Sequence, residues 1–483
     1  MHIPRANPHH PNLGIWNSCK QPITRRQLVR VDFEFARFNI DGRELSIVFA
    51  LEHRAYRTLV NAVADARKLL FIQTAFDCHA CLAFRHFPHS RFTLSFIDIF
   101  RNLNPGTLIL ADTPKELGYA MPAEWAPHEG TWLSWPHNPR TWVGNFGPIP
   151  HVFAEIVRAL CPSENLHICV SNALAEGGVR ALLKNHGVDS ASIFYHEIPT
   201  NDAWARDHGP IFITRTVGAA ALLPPLDAAT NQGRQECRPS IAAVAWRFNS
   251  WGGKYPPWDD DDRVPERAAA ILNVPCFHPR MVLEGGSIDV NGAGALLTTE
   301  CVLLNPNRNP QLSRKQIEAR LDEYLGASHV IWLGDGIVGD DTDGHIDDLA
   351  RFVNATTVVT VYEDDEHDNN YKALRENYER LQSATDQNGA KLTVVKLPTP
   401  GKVFRGAQHD TRPPEERLPA SYANFYIGNG AVLVPIFGHE NDEKAKALIG
   451  DFFPGRAVVG IRCNDLVGGY GAIHCVTQQQ PAV

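Results

Sequence analysis

Five residues of this sequence have side chains that could carry out chemistry together. Cys475 offers a nucleophilic thiol, His345 can move protons, and Asp207, Glu284 and Asp347 offer carboxylates. A guanidinium group pairs with carboxylates through five N–H donors in a fixed planar arrangement. A bound cation and a neighbouring imidazolium would also favour the reactive thiolate of a cysteine. This combination indicates attack by sulfur on the carbon of a guanidine that carboxylates hold in place.

Each of these residues lies in a short polar loop that follows a predicted strand. The loops span residues 201–210, 284–286, 340–348 and 468–475. Equivalent loops of radially arranged units face one central axis. We therefore expect the loops to converge, although they are far apart in the chain.

The loops recur because the chain from about residue 118 repeats one order of elements: hairpin, helix, strand. The predicted strands are 166–170, 192–199, 211–214, 243–249, 295–299, 329–333, 425–427, 431–435 and 457–461, and the predicted helices include 262–272, 314–325 and 442–453. Residues 200–210 are predicted to be a loop. About five such units, at spacings of roughly 50–80 residues, would form a closed, propeller-like α/β barrel.

Composition excludes several classes of protein. The net charge of −8 and pI near 6.2 give no basic surface for nucleic acid. There is no apolar run long enough to span a membrane, and residues 1–30 lack the apolar core of a secretory signal. Ten scattered cysteines are typical of reduced thiols in a cytoplasmic protein. We therefore expect a cytoplasmic protein with a small cationic substrate, and a homo-oligomer is compatible with this sequence.

The first part of the chain differs from the rest. Residues 1–112 hold 14 Lys and Arg against 9 Asp and Glu, whereas the remainder holds 32 against 45. We predict an N-terminal extension over residues 1–115, without a function of its own, and a catalytic domain over residues 116–483. A helix is predicted over residues 56–70. Alternatively, the extension could be a module that binds a partner. Two cysteines and two histidines of the extension resemble a zinc site, namely Cys78, Cys81, His86 and His89. The spacing between the cysteines and the histidines is too short for a zinc finger.

Structural explanations compete with the functional ones at several positions. A lone cysteine near a C-terminus is usually a small apolar residue. The loop around His345 resembles a calcium loop, but Gly339 and Ala350 would occupy ligand positions and cannot bind the ion. The acidic run 259–262 favours the start of a helix. The paired glycines at 252–253 and 285–286 lack the context of a phosphate loop.

Several motifs, in a fixed order from residue 118 to 481, are those of one known family. They are Met121-Pro122-Ala123-Glu124-Trp125, Trp132-Leu133-Ser134-Trp135-Pro136, Asn201-Asp202-x-Trp204-x-Arg206-Asp207-x-Gly209-Pro210, Phe248-Asn249-Ser250-Trp251-Gly252-Gly253, Glu284-Gly285-Gly286, Thr342-Asp343-Gly344-His345-x-Asp347 and Ile473-His474-Cys475-x-Thr477-Gln478-Gln479. In these motifs the chain resembles the agmatine deiminase and Porphyromonas-type peptidyl-arginine deiminase family, whose members modify guanidino groups. The resemblance does not extend to residues 1–115.

The resemblance implies a fold, a reaction and a set of roles. The fold would be the pentein fold, a five-bladed α/β propeller. Cys475 would form a covalent amidino-cysteine, and His345 would protonate the departing ammonia and then activate water. The remaining roles are implied as follows: Asp207 and Asp347 grip the guanidinium, Glu284 orients His345 or touches the guanidinium, and Trp204 stacks near the cation. The reaction would need no metal or organic cofactor, and it would convert agmatine into N-carbamoylputrescine and ammonia, a step towards putrescine.

One segment departs from the family pattern. Residues 469–472 are Gly-Tyr-Gly-Ala, whereas Gly-Gly-Gly-Asn is common in the family, so Tyr470 and Ala472 are unusual. The difference leaves alternatives open: an arginine or peptidyl-arginine deiminase, an amidinotransferase that uses an amine in place of water, or a guanidine-binding protein in which Cys475 is inert. An acidic pocket would repel the carboxylate of arginine, which favours agmatine.

Overall fold

The computed structural model describes residues 113–215, 240–405 and 416–483, together with the backbone of two strands near the N-terminus. These strands, β1 (Phe33–Ile40) and β2 (Arg43–Ala50), pair antiparallel. They belong to the unit Met1–Leu108, and all other described elements belong to the unit Ile109–Val483. The helix predicted over 56–70 and the cysteine and histidine set at 78–89 lie outside the described residues. The roles suggested for residues 1–115 stay predictions.

The unit Ile109–Val483 is a mixed α/β structure. Its described strands are β3 (His128–Ser134), β4 (Asn165–Val170), β5 (Ile193–Glu197), β6 (Ile211–Thr214), β7 (Ile241–Val244), β8 (Cys276–Phe277), β9 (Asp289–Val290), β10 (Ala295–Thr299), β11 (His329–Leu333), β12 (Ala350–Asn354), β13 (Thr357–Tyr362), β14 (Thr393–Pro398), β15 (Tyr426–Ile427), β16 (Ala431–Ile436), β17 (Ala457–Arg462) and β18 (Gln478–Pro481). Its described helices are α1 (Ile149–Leu160), α2 (Ala173–Asn185), α3 (Ala205–His208), α4 (Val264–Leu272), α5 (Glu300–Leu303), α6 (Arg314–Leu325), α7 (Tyr371–Ser383) and α8 (Asn441–Gly450). A further short segment, Ser250–Gly253, is only partly helical, because Trp251 and Gly252 have non-helical dihedral angles.

The described residues of this unit form five sheets that share one plan. Four of the sheets have three strands: an antiparallel pair, and then, after a crossover, a third strand that runs parallel to the second. The fifth sheet has the same pattern and one more parallel strand, in the order β18–β3–β4–β5. In the sheet β9–β10–β11, for example, Leu297 lies opposite Asp289 on the antiparallel side and Ile331 on the parallel side. The predicted order of hairpin, helix and strand is therefore present in the structure.

The last strand of the chain completes the sheet that contains β3. Strand β18 pairs antiparallel with β3, with Gln479 opposite Thr131, and β3 then pairs parallel with β4. The two ends of the unit thus meet in one sheet, which fits a closed arrangement. The number of blades in such a propeller stays a prediction.

Several predicted elements are confirmed to the residue. They are the strands 211–214, 295–299 and 329–333 and the helix 314–325. Helix α6 buries Ile317, Leu321 and Leu325, which lie four residues apart on one face. It ends at Gly326, whose φ of 70° is the left-handed conformation expected of a helix C-cap.

Several predictions are wrong in detail. The strand predicted over 192–199 spans only Ile193–Glu197, and the helix predicted over 262–272 begins at Val264. The loop predicted over 200–210 contains helix α3, which presents Asp207. The strand predicted over 243–249 ends at Val244, and the chain then turns through left-handed conformations at Ser250 and Trp251. The helix predicted over 442–453 ends at Gly450. Among the described residues, no helix is both long enough and apolar enough to cross a bilayer.

Candidate active site

Short turns at the ends of strands carry the five predicted catalytic residues, and these turns pack together. Asp207 lies in α3, Glu284 precedes the 3-10 turn Gly285–Ser287, His345 precedes the 3-10 turn Ile346–Asp348, which contains Asp347, and Cys475 lies in the 3-10 turn His474–Val476. Helix α3 contacts the turns Gly285–Ser287 and His474–Val476, and the turns Gly285–Ser287 and Ile346–Asp348 contact each other. The polar loops that the sequence marks out therefore meet in space.

Cys475 is a buried thiol at the wall of a cavity. Only 6% of its surface is exposed, and its Sγ accepts a hydrogen bond from Asn424 Nδ2 at 3.0 Å. The thiol lies 3.7 Å from Asp347 Oδ2. Burial raises the pKa of Cys475 well above its usual value, and the charges of Asp347, Asp348 and Asp207 add to this. The sulfur of the free protein is thus a protonated thiol at neutral pH.

Asp347 is fixed by the residue that precedes the thiol. The ring of His474 lies between two carboxylates, with Nδ1 at 2.7 Å from Asp347 Oδ2 and Nε2 at 2.8 Å from Glu124 Oε2. Both ring nitrogens thus lie within hydrogen-bond distance of a carboxylate oxygen. Burial opposes ionisation of Asp347, but the hydrogen bond and charge of His474 outweigh it and keep the pKa of Asp347 below its usual value.

Asp207 is held by two donors and remains hard to ionise. Its Oδ1 accepts from the backbone N–H of Gly286 at 3.0 Å, and its Oδ2 accepts from Trp251 Nε1 at 2.9 Å. Trp251 reaches this position from an unusual left-handed conformation, with φ of 53°. Burial raises the pKa of Asp207 to about 6, against the lowering effect of His345 and with a contribution from Asp347.

We expect the affinity for a guanidinium ligand to fall as the pH drops through about 6. Protonation of Asp207 removes the negative charge that attracts the cation, so each unit of pH below the pKa of about 6 should weaken binding about tenfold. Calorimetric titration of an inactive Cys475→Ser variant with agmatine, between about pH 4.5 and about pH 8, tests this without turnover. A dissociation constant that stays level through this range would contradict it.

His345 is buried behind Asp207. It is 1% exposed, and its Nδ1 lies 3.7 Å from Asp207 Oδ1. Its backbone N–H is held by Asp340 and Thr342, while neither ring nitrogen has a hydrogen-bond partner among the described residues. The loop is therefore fixed, and the imidazole keeps both nitrogens available for proton transfer.

Gly286 is the point on which three of these side chains converge. A β-carbon at this position would lie 2.6 Å from His345 Nδ1, 2.8 Å from Asp207 Oδ1 and 3.0 Å from Asp347 Oδ2. The missing side chain leaves the space in which the imidazole and the two carboxylates come close. The φ of Gly286 is not positive, so the requirement for glycine is one of space and not of backbone conformation.

Glu284 forms a buried ion pair with Arg308, and its role towards His345 or the guanidinium stays a prediction. Its Oε1 accepts from Arg308 Nε at 2.6 Å, and its Oε2 has no hydrogen-bond partner among the described residues. Arg308 also binds the Asp343 carboxylate and the Thr342 carbonyl. Glu284 is thereby linked through Arg308 to the loop that carries His345, and it does not line the cavity.

The cavity beside Cys475 has a volume of about 670 Å³ and walls of mixed character. Trp204 and Trp251 supply aromatic surface. The acidic side chains on the wall outnumber the lysine and arginine side chains. The acids are Asp202, Asp207, Asp261 and Asp341, and the bases are Arg140 and Lys254. Such walls suit a planar cation on an apolar chain.

Comparison with known proteins decides the family. The family model of the Porphyromonas-type peptidyl-arginine deiminases matches residues 120–481. The chain is 39% identical to the agmatine deiminases of Ectopseudomonas mendocina and Medicago truncatula. It covers 98% and 99% of those proteins, and 77% of this chain is matched in each case. This chain belongs to the Porphyromonas-type peptidyl-arginine deiminase family. The solved structure of the Enterococcus faecalis agmatine deiminase is similar, with 35% identity, a TM-score of 0.69 and coverage of 77% of this chain and 98% of that chain.

The family resemblance and the α/β pentein fold that it implies are thus confirmed. Within this family member, the structure brings Cys475, Asp207, His345 and Asp347 together. Cys475, Asp207 and Trp204 line the cavity, whereas His345 and Asp347 are not among its lining residues. Three residues for which no role was predicted also belong to the site: Asn424, Trp251 and His474. Trp251 and His474 stand in the motifs that carry the resemblance, so a signal for them was present. Asn424, just before strand β15, lies in no such motif, and only the folded structure places it beside the sulfur.

Proposed function

We propose that this protein is an agmatine deiminase, which hydrolyses agmatine to N-carbamoylputrescine and ammonia through a covalent intermediate on Cys475. One observation carries the proposal: Cys475 and Asp207 line the same cavity from loops far apart in the chain, and Asp347 contacts the thiol from a third loop. The agmatine deiminases among its relatives support the choice of substrate. The product would serve putrescine formation.

Binding of the guanidinium would use the carboxylates of Asp207 and Asp347. Asp347 Oδ1 is buried and has no hydrogen-bond partner among the described residues, so it is available to accept from the substrate. Each oxygen of Asp207 already accepts one hydrogen bond and keeps a further lone pair. Trp204, 4% exposed, offers its ring to the planar cation. The substrate would thus be held with its central carbon beside the sulfur.

The bound cation would also activate the thiol. Negative charges surround Cys475 in the free protein and oppose loss of its proton. A guanidinium beside Asp207 and Asp347 offsets these charges, so with substrate bound the thiol gives its proton to His345 and becomes a thiolate. The sulfur then bonds to the guanidinium carbon, and the electron pair of a carbon–nitrogen double bond moves onto its nitrogen. The resulting tetrahedral centre expels one nitrogen, which leaves as ammonia with a proton from His345.

The second half of the reaction would release the product. His345 takes a proton from water, and the resulting oxygen nucleophile bonds to the amidino carbon. The carbon–sulfur bond breaks as the carbonyl forms, His345 returns its proton to the Cys475 sulfur, and the remaining hydroxyl proton passes to solvent. The carbon leaves as the carbamoyl group of N-carbamoylputrescine. One water is consumed, and the ammonia together with the released proton makes one ammonium ion, so atoms and charge balance and the protein ends unchanged.

Asp347→Asn is expected to change thiol reactivity and turnover in opposite directions. Removing this negative charge lowers the pKa of Cys475, so alkylation of the free protein at neutral pH should become faster. Turnover of agmatine should fall, by about 10²-fold or more, because a guanidinium-binding carboxylate is lost. The measurement is the rate of iodoacetamide modification at Cys475, located by peptide mapping. A variant that loses both reactivity and turnover would indicate simple structural damage and contradict this explanation.

The choice of substrate is tested by comparing product release from several guanidino compounds. The excess of acids over bases on the cavity wall favours a ligand with a second positive charge, as in agmatine, over arginine with its carboxylate. Purified protein should release ammonia and a carbamoyl product from agmatine faster than from arginine or from a peptide with arginine. A preference for arginine or peptidyl-arginine would make the protein a deiminase of that substrate, and the absence of any product would contradict the proposal.

The cellular setting is also a proposal. The six cysteines among the described residues are free, as expected in a reducing compartment, and this supports a cytoplasmic location. Agmatine and its product are small and soluble, so the reaction needs no membrane surface. A homo-oligomer is compatible with this proposal, and sedimentation analysis would establish its size.

A further inference from the structure

Tyr470 occupies a backbone conformation that favours glycine. Its φ is 74° and its ψ is 16°, in the left-handed region that side chains with a β-carbon seldom adopt. It follows the 3-10 turn Leu466–Gly469 and lies five residues before Cys475. A bulky residue in this conformation implies that its side chain makes contacts that offset the strain.

The neighbouring glycines direct the Tyr470 side chain. A β-carbon on Gly469 would lie 2.7 Å from Trp142 Nε1 and 3.0 Å from the Trp204 ring, and one on Gly471 would lie 2.5 Å from the Trp204 ring. The backbone on either side of Tyr470 therefore packs against these two tryptophans, which leaves no room there for side chains. Tyr470 lines the cavity together with both glycines and Cys475, and its side chain extends instead to Glu416.

Two residues hold the side chain of Tyr470: Glu416 binds its hydroxyl group and Arg405 lies over the face of its ring. Its hydroxyl donates to Glu416 Oε1 at 3.0 Å, and the guanidinium carbon of Arg405 lies 4.9 Å from the ring centre. Arg405 donates to Glu416 Oε2 at 3.2 Å and to the carbonyl of Gly468 at 2.5 Å. Arg405 is buried, and the side chain of Glu416 is partly exposed. The ring cannot swing away without breaking these contacts.

We propose that Tyr470 is a specificity-determining wall of the cavity, which admits guanidines on slender unbranched chains and disfavours those attached to a peptide backbone. This inference rests on the proposed function for its reaction and deepens it by naming the class of substrate. A glycine at position 470 would leave the backbone unstrained and open the wall beside Cys475. A substrate with substituents on the carbon chain would then find the space that the tyrosine ring occupies.

The test compares two ligands that differ in branching and carry the same charge. Butylguanidine is unbranched, whereas Nα-acetylarginine amide carries a peptide-like group on the same guanidino chain, and neither has a second charge. Dissociation constants are measured by calorimetry in the inactive Cys475→Ser background, so the result does not depend on turnover. We expect butylguanidine to bind at least about 30-fold more tightly than Nα-acetylarginine amide. Adding Tyr470→Gly should reduce this ratio of dissociation constants about tenfold.

Two further variants isolate the tyrosine ring as the cause. Asn273→Gly relieves a left-handed residue of φ 53° at the end of α4, away from the cavity lining, and should leave the ratio as it is. Tyr470→Phe keeps the ring and should retain the preference. The inference would be overturned if Tyr470→Gly reduced the ratio of the two dissociation constants by less than about threefold. It would also be overturned if Tyr470→Phe reduced that ratio as much as Tyr470→Gly does. Failure of the wild-type protein to turn over any guanidine would instead contradict the proposed function.

Discussion

Replacing Cys475 with serine is expected to reduce kcat for agmatine by at least about 10⁴-fold, with the fold intact. The serine hydroxyl can still accept the hydrogen bond from Asn424. It is a far weaker acid than a thiol, and Asp347, Asp348 and Asp207 oppose its ionisation further. Steady-state ammonia release measures the effect, and thermal unfolding checks the fold.

The matched control is Cys161→Ser, at a half-buried cysteine that does not line the cavity. It should leave kcat within about twofold of the wild-type value, because this thiol lies outside the site. Cys475→Ser should also retain binding of agmatine, since both guanidinium-binding carboxylates remain. Turnover by Cys475→Ser within about tenfold of wild type would show that another group attacks the substrate.

Replacing Gly286 with alanine should lower kcat/KM by about 10²- to 10³-fold. The added methyl group would lie 2.6 Å from His345 Nδ1 and 2.8 Å from Asp207 Oδ1, so at least one of the two side chains must move. Both are buried, and there is little free volume to receive the displacement. His345 and Asp207, the proposed acid–base group and guanidinium ligand, would then lose their alignment.

Gly178→Ala provides the control for this substitution. Gly178 lies in α2, and a β-carbon there would meet no heavy atom within 4 Å. Alanine also favours the helix over glycine, so this variant should keep its activity and gain a little stability. If Gly286→Ala retained kcat/KM within about threefold of wild type, the convergence of the three side chains on Gly286 would not matter for the reaction.

The sequence predicts the repeat well because the local signals are strong. Helix α6 has apolar residues at a four-residue spacing and a glycine at its end, and β10 and β11 are short apolar segments on either side of it. The motif resemblance extends through the same region and predicts the α/β fold that the comparisons confirm. The pairing of β18 with β3 joins segments at opposite ends of the unit, and no local pattern could predict it.

The sequence predicts part of the site, and there are physical reasons why it could not predict the rest. The residue types of Cys475, His345, Asp207 and Asp347 by themselves indicate guanidine chemistry. The sequence could not predict the partner of Glu284, because its ion pair with Arg308 joins residues 24 positions apart in the chain. The hydrogen bond from Trp251 to Asp207 likewise joins residues 44 positions apart, and Trp251 makes it from a left-handed conformation. Asn424 reaches the sulfur only through the folding of a separate sheet.

Mass spectrometry of a rapidly quenched reaction tests the central claim most directly. Protein mixed with agmatine and quenched in acid during turnover should carry one adduct, with the mass of agmatine less ammonia, and peptide mapping should place it on Cys475. The adduct should disappear as the substrate is consumed. Continued turnover with no adduct on Cys475, or with the adduct on a different cysteine, would contradict attack by this sulfur on the guanidinium carbon.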